Sequence, residues 1–174
     1  MSHIPHACGG CRCVAFTSRA RCRAIQHLIR PHEVEGLFVR VSASLLPSGH
    51  DFPASVARWI QVQLAARRLR YVADPPSCDR WCPPAETLWR GSGDCDDFAI
   101  LVASMLRAGG VQNLDVVVGH HCSGWVCGGH AWVEGVDHSG PFMIEPTSGA
   151  FYTSRPSEYI PFLRLRPGLC RVAA

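Results

Sequence analysis

Cys95 stands among three carboxylates in the segment RGSGDCDDFA, where a glycine-rich loop turns into an apolar run. Asp94 is a typical helix N-cap, and Asp97 lies at the position of a capping box. Cys95 would then be the first residue of a helix, where free N–H groups and the helix dipole favour a thiolate and can hold an oxyanion. Asp96 is not explained by capping. The pattern indicates either a nucleophilic cysteine or a buried thiol in a capped helix.

Two residues that could activate such a thiol lie on two predicted strands joined by a short turn. A hairpin register in which Val136 faces Pro141 makes His130 a diagonal neighbour of Glu145, within reach of long side chains. A carboxylate beside a histidine orients the ring and stabilises the imidazolium. Cys95, His130 and Glu145 therefore match the roles of nucleophile, base and orienting group, although a lone strand histidine is often a satisfied, partly buried residue.

The elements that would position these residues follow from periodicity and from glycine or proline breaks. Apolar spacings of three and four predict a helix from Ala54 and a second helix from Asp94, which ends at the Gly109–Gly110 pair. A short helical turn is predicted over PAETLWRGSG. Alternating patterns predict strands over GLFVRVSASL, LDVVVGH, HAWVEGV and PFMIEPT, with HCSGWVCGG as a loop. Residues 1–23 show no period and are predicted to be an irregular Cys/His-rich arm before a single domain over residues 24–174.

Composition narrows the function classes. The 174 residues suit about one domain, with a core of ordinary size. The 17 basic residues form no stripe interleaved with aromatic residues, which argues against nucleic-acid binding. No apolar run reaches membrane-spanning length and no signal segment is visible, so we expect a cytoplasmic protein that does not bind a membrane.

Ten cysteines are many for such a protein. In a reducing compartment they would be free thiols or metal ligands rather than disulfides. Short-spaced pairs are typical of structural zinc sites, and His3, His6 and Cys13 would compete as ligands. The candidate zinc ligands, with free thiols as the alternative, are Cys8, Cys11, Cys78 and Cys82.

The segments GDCDDFAILVASMLRAGG, GGHAWVEG and MIEPTSG resemble the transglutaminase-like cysteine peptidase superfamily. The stretch WCPPAETLWRGSGDCDDFAI is similar in particular to the bacterial transglutaminase-like cysteine proteinases, and the resemblance covers about residues 54 to 150. It implies an α+β, papain-like fold with the nucleophile helix packed on an antiparallel sheet. Cys95 would be the nucleophile, His130 the general base and acid, and Glu145 the orienter, where the family more often has aspartate.

The resemblance implies thiol-dependent hydrolysis or acyl transfer at peptide or amide bonds of a peptide or protein substrate, through an acyl-enzyme. Water as acceptor would make a peptidase, and an amine would make a transglutaminase. A non-catalytic binding or metal-held scaffold domain is the alternative from another class. The candidate substrate-binding residues are Trp89, Trp125, Gly129 and Trp132.

No cofactor is required for this chemistry. Some members of the bacterial group, however, bind calcium through the acidic residues that flank the cysteine. Here those residues are Asp94 and Asp96, and a hard cation prefers carboxylate oxygens. Such an ion would cancel charge that otherwise opposes thiolate formation, whereas without an ion Asp96 would act only on the helix dipole.

Overall fold

The computed structural model describes residues 11–15, 17–37 and 51–172. The helices that lie wholly within these residues are α1 Ser18–Leu28, a 3₁₀ turn Pro31–Glu33, α2 Phe52–Ala65, α3 Pro84–Arg90 and α4 Cys95–Ala108. Four two-residue strands are β1 Arg12–Cys13, β2 Arg70–Tyr71, β3 Arg80–Trp81 and β4 Ser92–Gly93. The longer strands are β5 Leu114–Ser123, β6 Val126–Asp137, β7 Gly140–Glu145, β8 Ala150–Tyr152, β9 Tyr159–Arg166 and β10 Leu169–Val172.

The main sheet has six strands in the order β10-β9-β5-β6-β7-β8, and every neighbouring pair is antiparallel. Helix α4 packs against β5 and β6, while α1 covers β9 and α2 covers β7 and β8. The predicted α+β fold, with the cysteine helix on an antiparallel sheet, is confirmed.

Helix α4 is buried on all sides and not only along one stripe. Every residue from Phe98 to Leu106 is buried, including the small residues Ala99 and Ala103 and the polar Ser104. The Ser104 hydroxyl is occupied, because it accepts a 3.0 Å hydrogen bond from the Arg30 N–H. A helix enclosed in this way gives its first residue a fixed position relative to the sheet.

The β6–β7 hairpin has the predicted register, with Val136 opposite Pro141 and Val133 opposite Ile144. The predicted loop HCSGWVCGG is wrong, because β5 and β6 pair up to Ser123 and Val126. The chain reverses at Gly124, whose φ of +61° is one that glycine adopts at little cost. The result is a long hairpin that extends beyond the end of β7.

The N-terminal prediction of an irregular arm over residues 1–23 is wrong from Ser18 onward. Helix α1 begins there, capped by the Thr17 hydroxyl, which accepts from the Ala20 N–H at 3.2 Å. Its residues Ile25 and Leu28 are fully buried in the core. The apolar stripe is short and interrupted by arginines, so it is weak in the sequence. Most of the predicted strand GLFVRVSASL lies outside the described residues.

Eight of the nine cysteines in the described ranges form disulfides instead of the predicted zinc site or free thiols. Cys8 lies outside the described residues. A sulfur in a disulfide is not a thiolate ligand, so the remaining zinc ligands are not available as a set. The pairs are Cys11–Cys82, Cys13–Cys78, Cys22–Cys170 and Cys122–Cys127. Cys11 precedes strand β1 and Cys13 is its last residue, while their partners lie on either side of β3, which pairs with β1.

Within the described ranges, no helix combines the length and the apolar character that crossing a membrane requires.

Candidate active site

Cys95 is the first residue of α4, and Asp94 is the N-cap with an extended backbone. The thiol is partly buried, and the Ala131 N–H of β6 is directed at its sulfur. The predicted capping box is wrong. The Asp97 carboxylate does not return to the backbone at the helix start, because it accepts a hydrogen bond from the Cys82 N–H at 2.7 Å.

Asp97 is tied to the loop that carries Cys82 and to helix α3. Its second oxygen lies 3.9 Å from Arg90. Gly93 makes room for this arrangement, because a Cβ at that position would lie 2.6 Å from the Asp97 Cβ. Burial, and then the charge of Asp94, raises the pKa of Asp97 to about 7, although the Cys82 N–H and Arg90 act in the opposite direction. Asp97 therefore braces the helix start against the loop in front of it.

Asp94 and Asp96 carry the negative charge closest to the thiol. Both side chains are buried, and one oxygen of each (Oδ1) has no hydrogen-bond partner among the described residues. Burial raises the pKa of both carboxyls, and the charge of Asp94 raises that of Asp96 further. Burial also raises the pKa of Cys95, and the charges of Asp96 and Asp94 add to the effect. In the absence of a compensating positive charge, burial and these two carboxylates thus disfavour the thiolate form of Cys95.

His130 and Glu145 are hydrogen bonded, with His130 Nε2 2.7 Å from Glu145 Oε2. Tyr159 donates its hydroxyl proton to the same oxygen at 3.0 Å. The other oxygen accepts from the Thr147 N–H at 2.9 Å and from the Thr147 hydroxyl at 2.7 Å. Both oxygens of Glu145 are thus held, and the carboxylate has one orientation.

Glu145 is ionised at neutral pH. Burial acts to raise its pKa, but the hydrogen bond and charge of His130 and the two hydrogen bonds from Thr147 outweigh burial, and the net pKa is lowered. An ionised carboxylate can only accept, so His130 carries its proton on Nε2 when it is neutral. Nδ1 then remains as the basic nitrogen.

Aromatic rings surround His130. Trp132 lies nearly parallel to it with ring centroids 6.2 Å apart, and His121 lies at 5.6 Å. His121 in turn stacks on Tyr159 at 4.4 Å. These contacts restrict rotation of the imidazole, and Trp132 forms part of its support.

One cavity of about 330 Å³ contains both Cys95 and His130 in its wall. Strands β5, β6 and β9 form one side of it and residues 71–81 the other; the lining includes Tyr71, Trp81, His120, Gly129 and Phe162. The structure thus brings together Cys95, His130 and Glu145, the three residues to which the sequence assigned chemistry.

The four predicted substrate-binding residues are not brought together. Gly129 lines the cavity. Trp132 is fully buried and donates its indole N–H to Glu134 at 2.7 Å. Trp89 and Trp125 are exposed on the surface and do not line this cavity. A tryptophan close to a catalytic motif in sequence does not by itself indicate a substrate-binding residue, since its side chain can point to either face of its helix or strand.

Tyr159 and Asp97 are site residues that sequence reasoning did not identify. Asp97 was assigned to capping, and no local signal distinguishes a cap from a contact with a distant N–H. Tyr159 begins an alternating segment, YIPFLRLR, which is typical of a strand. That signal could have predicted β9, but not the contact with Glu145.

The sequence of residues 47–144 matches the family model of the transglutaminase-like superfamily core, which is more than half of the chain. The chain belongs to the transglutaminase-like superfamily. Its cysteine, histidine and glutamate lie within or next to the matched segment.

Solved structures of Legionella pneumophila LapG have the same fold. One superposes with a TM-score of 0.52 at 19% identity, covering 84% of this chain and 89% of that chain. A calcium-bound LapG gives 0.52 at 18% identity, covering 83% and 88%, and an EGTA-treated LapG gives 0.53 at 19%, covering 84% and 87%. At these identities the likeness shows the transglutaminase-like fold, with its papain-like core.

A relative by sequence is the centrosomal protein of 76 kDa from Mus musculus, 32% identical over 108 residues. The match covers 62% of this chain and 16% of that protein. This chain thus corresponds to one segment of a longer relative.

Proposed function

We propose that this protein is a cysteine hydrolase of peptide or amide bonds, with Cys95 as nucleophile, His130 as base and acid, and Glu145 as orienter. The observation that carries the proposal is the shared cavity: the thiol at the N-terminus of α4 and the Glu145-bound imidazole both line it. Membership of the transglutaminase-like superfamily supports it.

The chemistry follows from the positions of the groups. His130 Nδ1 takes the thiol proton, and the sulfur attacks the carbonyl carbon of the substrate. The Cys95 N–H at the helix start faces the developing oxyanion. His130 then donates its proton to the leaving amine, and water attacks the resulting thioester to release the acid. An amine in place of water would make the protein a transglutaminase, which is the second form of the same proposal.

A calcium ion fits the acidic helix start. One carboxylate oxygen of Asp94 and one of Asp96 lie within 4.8 Å of each other, and these two residues flank Cys95 in the sequence. The unpartnered buried oxygens of Asp94 and Asp96 are the donors that a hard cation prefers. Bound there, calcium would supply the positive charge that offsets the two carboxylates beside the thiol. The calcium-bound form of LapG is consistent with this assignment.

A non-catalytic binding domain is the candidate from another class. One observation favours it, because burial and the charges of Asp96 and Asp94 raise the pKa of the Cys95 thiol. A nucleophilic cysteine normally has a lowered pKa. The two candidates differ in whether Cys95 reacts at neutral pH with calcium present.

The pairing of the cysteines supports a proposal about the compartment in which this function operates. Eight of the nine cysteines in the described ranges are paired in disulfides, and Cys95 is free. Such pairs persist in an oxidising environment and are rare in the cytosol. We therefore propose an oxidising compartment in place of the cytoplasmic location expected from the sequence.

The test is a peptide-library digestion followed by mass spectrometry, with calcium or with a chelator. Wild-type protein should generate new peptide termini, and Cys95→Ala and His130→Ala should not. Addition of a primary amine such as dansylcadaverine separates the acceptors: incorporation of the amine identifies a transglutaminase, and new termini without incorporation identify a hydrolase. Peptides that bind to wild-type protein and to Cys95→Ala alike, without being cleaved, would indicate the binding domain.

A further inference from the structure

We infer that the free edge of β6 beside Cys95 binds an extended peptide segment of the substrate as an added β-strand. This inference rests on the proposed function, because it concerns how the chain to be cleaved reaches the thiol. The edge is formed by the backbone groups of Cys127 and Gly129, and it ends at Ala131.

Strand β6 is longer than the strand that pairs with its outer side. It begins at Val126, whereas β7 pairs with it from Val133 to Asp137. Residues 126–131 therefore have β5 on one side and no strand on the other side within the described part of the chain. An unpaired edge presents N–H and C=O groups to any chain that lies along it.

The direction of the backbone groups follows from hydrogen bonds in the hairpin. The Val136 N–H donates towards β5, to the Asn113 carbonyl at 2.9 Å. Because backbone groups alternate along an antiparallel strand, even-numbered residues of β6 face β5 and odd-numbered residues face away. Gly129 and Ala131 therefore direct their N–H and C=O groups to the outer edge.

The tip of the hairpin agrees with this assignment. Cys122 and Cys127 are opposite each other with Cα atoms 4.0 Å apart, the short separation of a non-hydrogen-bonded pair. The Cys122 N–H accordingly donates away from β6, to the Glu158 carbonyl at 2.9 Å. Cys127 thus also faces outward, and its disulfide holds the edge in one conformation, which reduces the entropy lost on binding.

The approach to the edge is open. Val126, Cys127, Gly128 and Gly129 are exposed. A Cβ placed on Gly128 or on Gly129 would meet no atom of the described residues within 4 Å. An added strand would lie about 4.8 Å from β6, and the empty space above and below Gly128 and Gly129 leaves room for its side chains.

The edge leads directly to the nucleophile. The Ala131 N–H is the next outward group after that of Gly129, and it is directed at the Cys95 sulfur. Two residues of strand span about 7 Å, so a chain paired with Gly129 passes the sulfur one or two residues later. Recognition through backbone groups selects extended, unfolded segments and tolerates many side chains. The substrate class is thus a flexible linker or loop rather than a folded helix.

The test uses epoxysuccinyl reagents, in which sulfur bonds to an epoxide carbon, the C–O bond breaks and the oxygen takes the proton held by His130. Three forms are compared with calcium present: the bare diamide, the same core with tri-alanine on each side, and the core with tri-(N-methylalanine), which cannot donate backbone hydrogen bonds. The rate of Cys95 modification is measured by mass spectrometry. Gly129→Pro removes the outward N–H without removing a bond to β5, and Gly128→Ala is the matched control.

For wild-type protein we expect the tri-alanine reagent to modify Cys95 roughly ten- to thirtyfold faster than the bare diamide, as two backbone hydrogen bonds would give. N-methylation and Gly129→Pro should each remove most of the gain, and Gly128→Ala should keep it. Equal rates for the bare and tri-alanine reagents would overturn the edge site while leaving the reactive Cys95 in place. If the N-methylated reagent modified wild-type Cys95 as fast as the tri-alanine reagent, the edge site would be overturned as well, because backbone hydrogen bonds donated by the reagent would then not contribute to the rate. If no reagent modifies Cys95, the proposed function fails and this inference fails with it.

Discussion

Glu145 Oε2 lies 2.7 Å from His130 Nε2, so the carboxylate holds the imidazole in one tautomer and one orientation. Thr147 occupies the other oxygen with two hydrogen bonds. The acid of this pair is a glutamate, whose side chain is one methylene longer than that of aspartate. Because both of its oxygens are held by hydrogen bonds, the added length does not loosen the contact with His130.

Glu145→Gln should lower kcat by about 10²- to 10⁴-fold, because an amide cannot stabilise the imidazolium and can present its N–H to the ring. The nearly isosteric change should leave the melting temperature close to that of wild-type protein. Peptide cleavage and thermal unfolding would be measured on the same preparation. Unchanged turnover would remove Glu145 from the proposed triad.

Tyr159→Phe should lower kcat several-fold and leave KM nearly unchanged, since the tyrosine acts on Glu145 and not on the substrate. The ring would still stack on His121, and one hydrogen bond of 3.0 Å to Glu145 would be lost. Phe162→Leu is the comparison variant. Because Phe162 lines the cavity, this substitution should raise KM and not lower kcat. If Tyr159→Phe lowered the folding stability and left kcat unchanged, the tyrosine would have only a structural role.

Cys95 should be alkylated by iodoacetamide in protein that has not been reduced, because it is the free thiol among the described cysteines. Its raised pKa predicts that labelling increases steeply above neutral pH in the presence of a chelator. Calcium should shift this rise to lower pH. Peptide mapping that finds Cys95 labelled no faster than Cys170 after reduction would count against an activated thiol.

Calcium removal should reduce thermal stability and activity together, if Asp94 and Asp96 hold the ion. Binding to the folded state contributes about 2.7 kcal/mol at a hundredfold excess over Kd. Asp96→Asn should abolish the response to calcium, and in chelator it should be more stable than wild-type protein, since it removes a buried charge beside Asp94. Titration calorimetry and melting curves check both. If calcium changed neither the melting temperature nor the activity of the wild-type protein, Asp94 and Asp96 would act only on the helix dipole.

Glu134→Gln should cost about 1–3 kcal/mol of unfolding free energy at pH 7, because Glu134 accepts from Trp132 at 2.7 Å and pairs with Arg164 at 2.7 Å. These partners outweigh burial and lower its pKa from the ordinary 4.5. A lowered pKa gives stability that is present above pH 4.5 and is lost as the pH falls through the pKa of the folded state. Urea unfolding at pH 7 and pH 3 should therefore show a smaller difference between variant and wild-type protein at pH 3.

The paired disulfides across β1 and β3 should contribute in a non-additive way. Cys13–Cys78 closes a sequence separation of 65 residues and Cys11–Cys82 one of 71. With one bridge in place the other closes only a small loop, so removing either alone should cost about 2–3 kcal/mol. Removing both should cost an additional ~4 kcal/mol, because the long loop is then open. Denaturation of the two double-serine variants and the quadruple variant measures the coupling, and additive losses would contradict the nested arrangement.

Local patterns determined the parts of this site that depend on neighbours in sequence. The apolar spacing from Phe98 to Leu106 predicts α4, and its first residue is Cys95 because Asp94 is a natural N-cap and glycines precede it. The turn between β6 and β7 is short enough that its length sets the register, which places His130 beside Glu145. A helix start and a two-strand hairpin are short-range structures, so the sequence alone predicts them.

Closure of the sheet and of the loops decided the rest. Tyr159 contacts Glu145 because β9 pairs with β5 in the same sheet as β7. The Asp97 carboxylate does not cap the helix because it accepts a hydrogen bond from the Cys82 N–H, which lies next to the helix start. Trp132 is buried and Trp125 exposed because the sheet covers one and the hairpin tip carries the other beyond it. The disulfides join cysteines up to 148 residues apart. These contacts depend on which distant segments meet, and no local propensity encodes that choice.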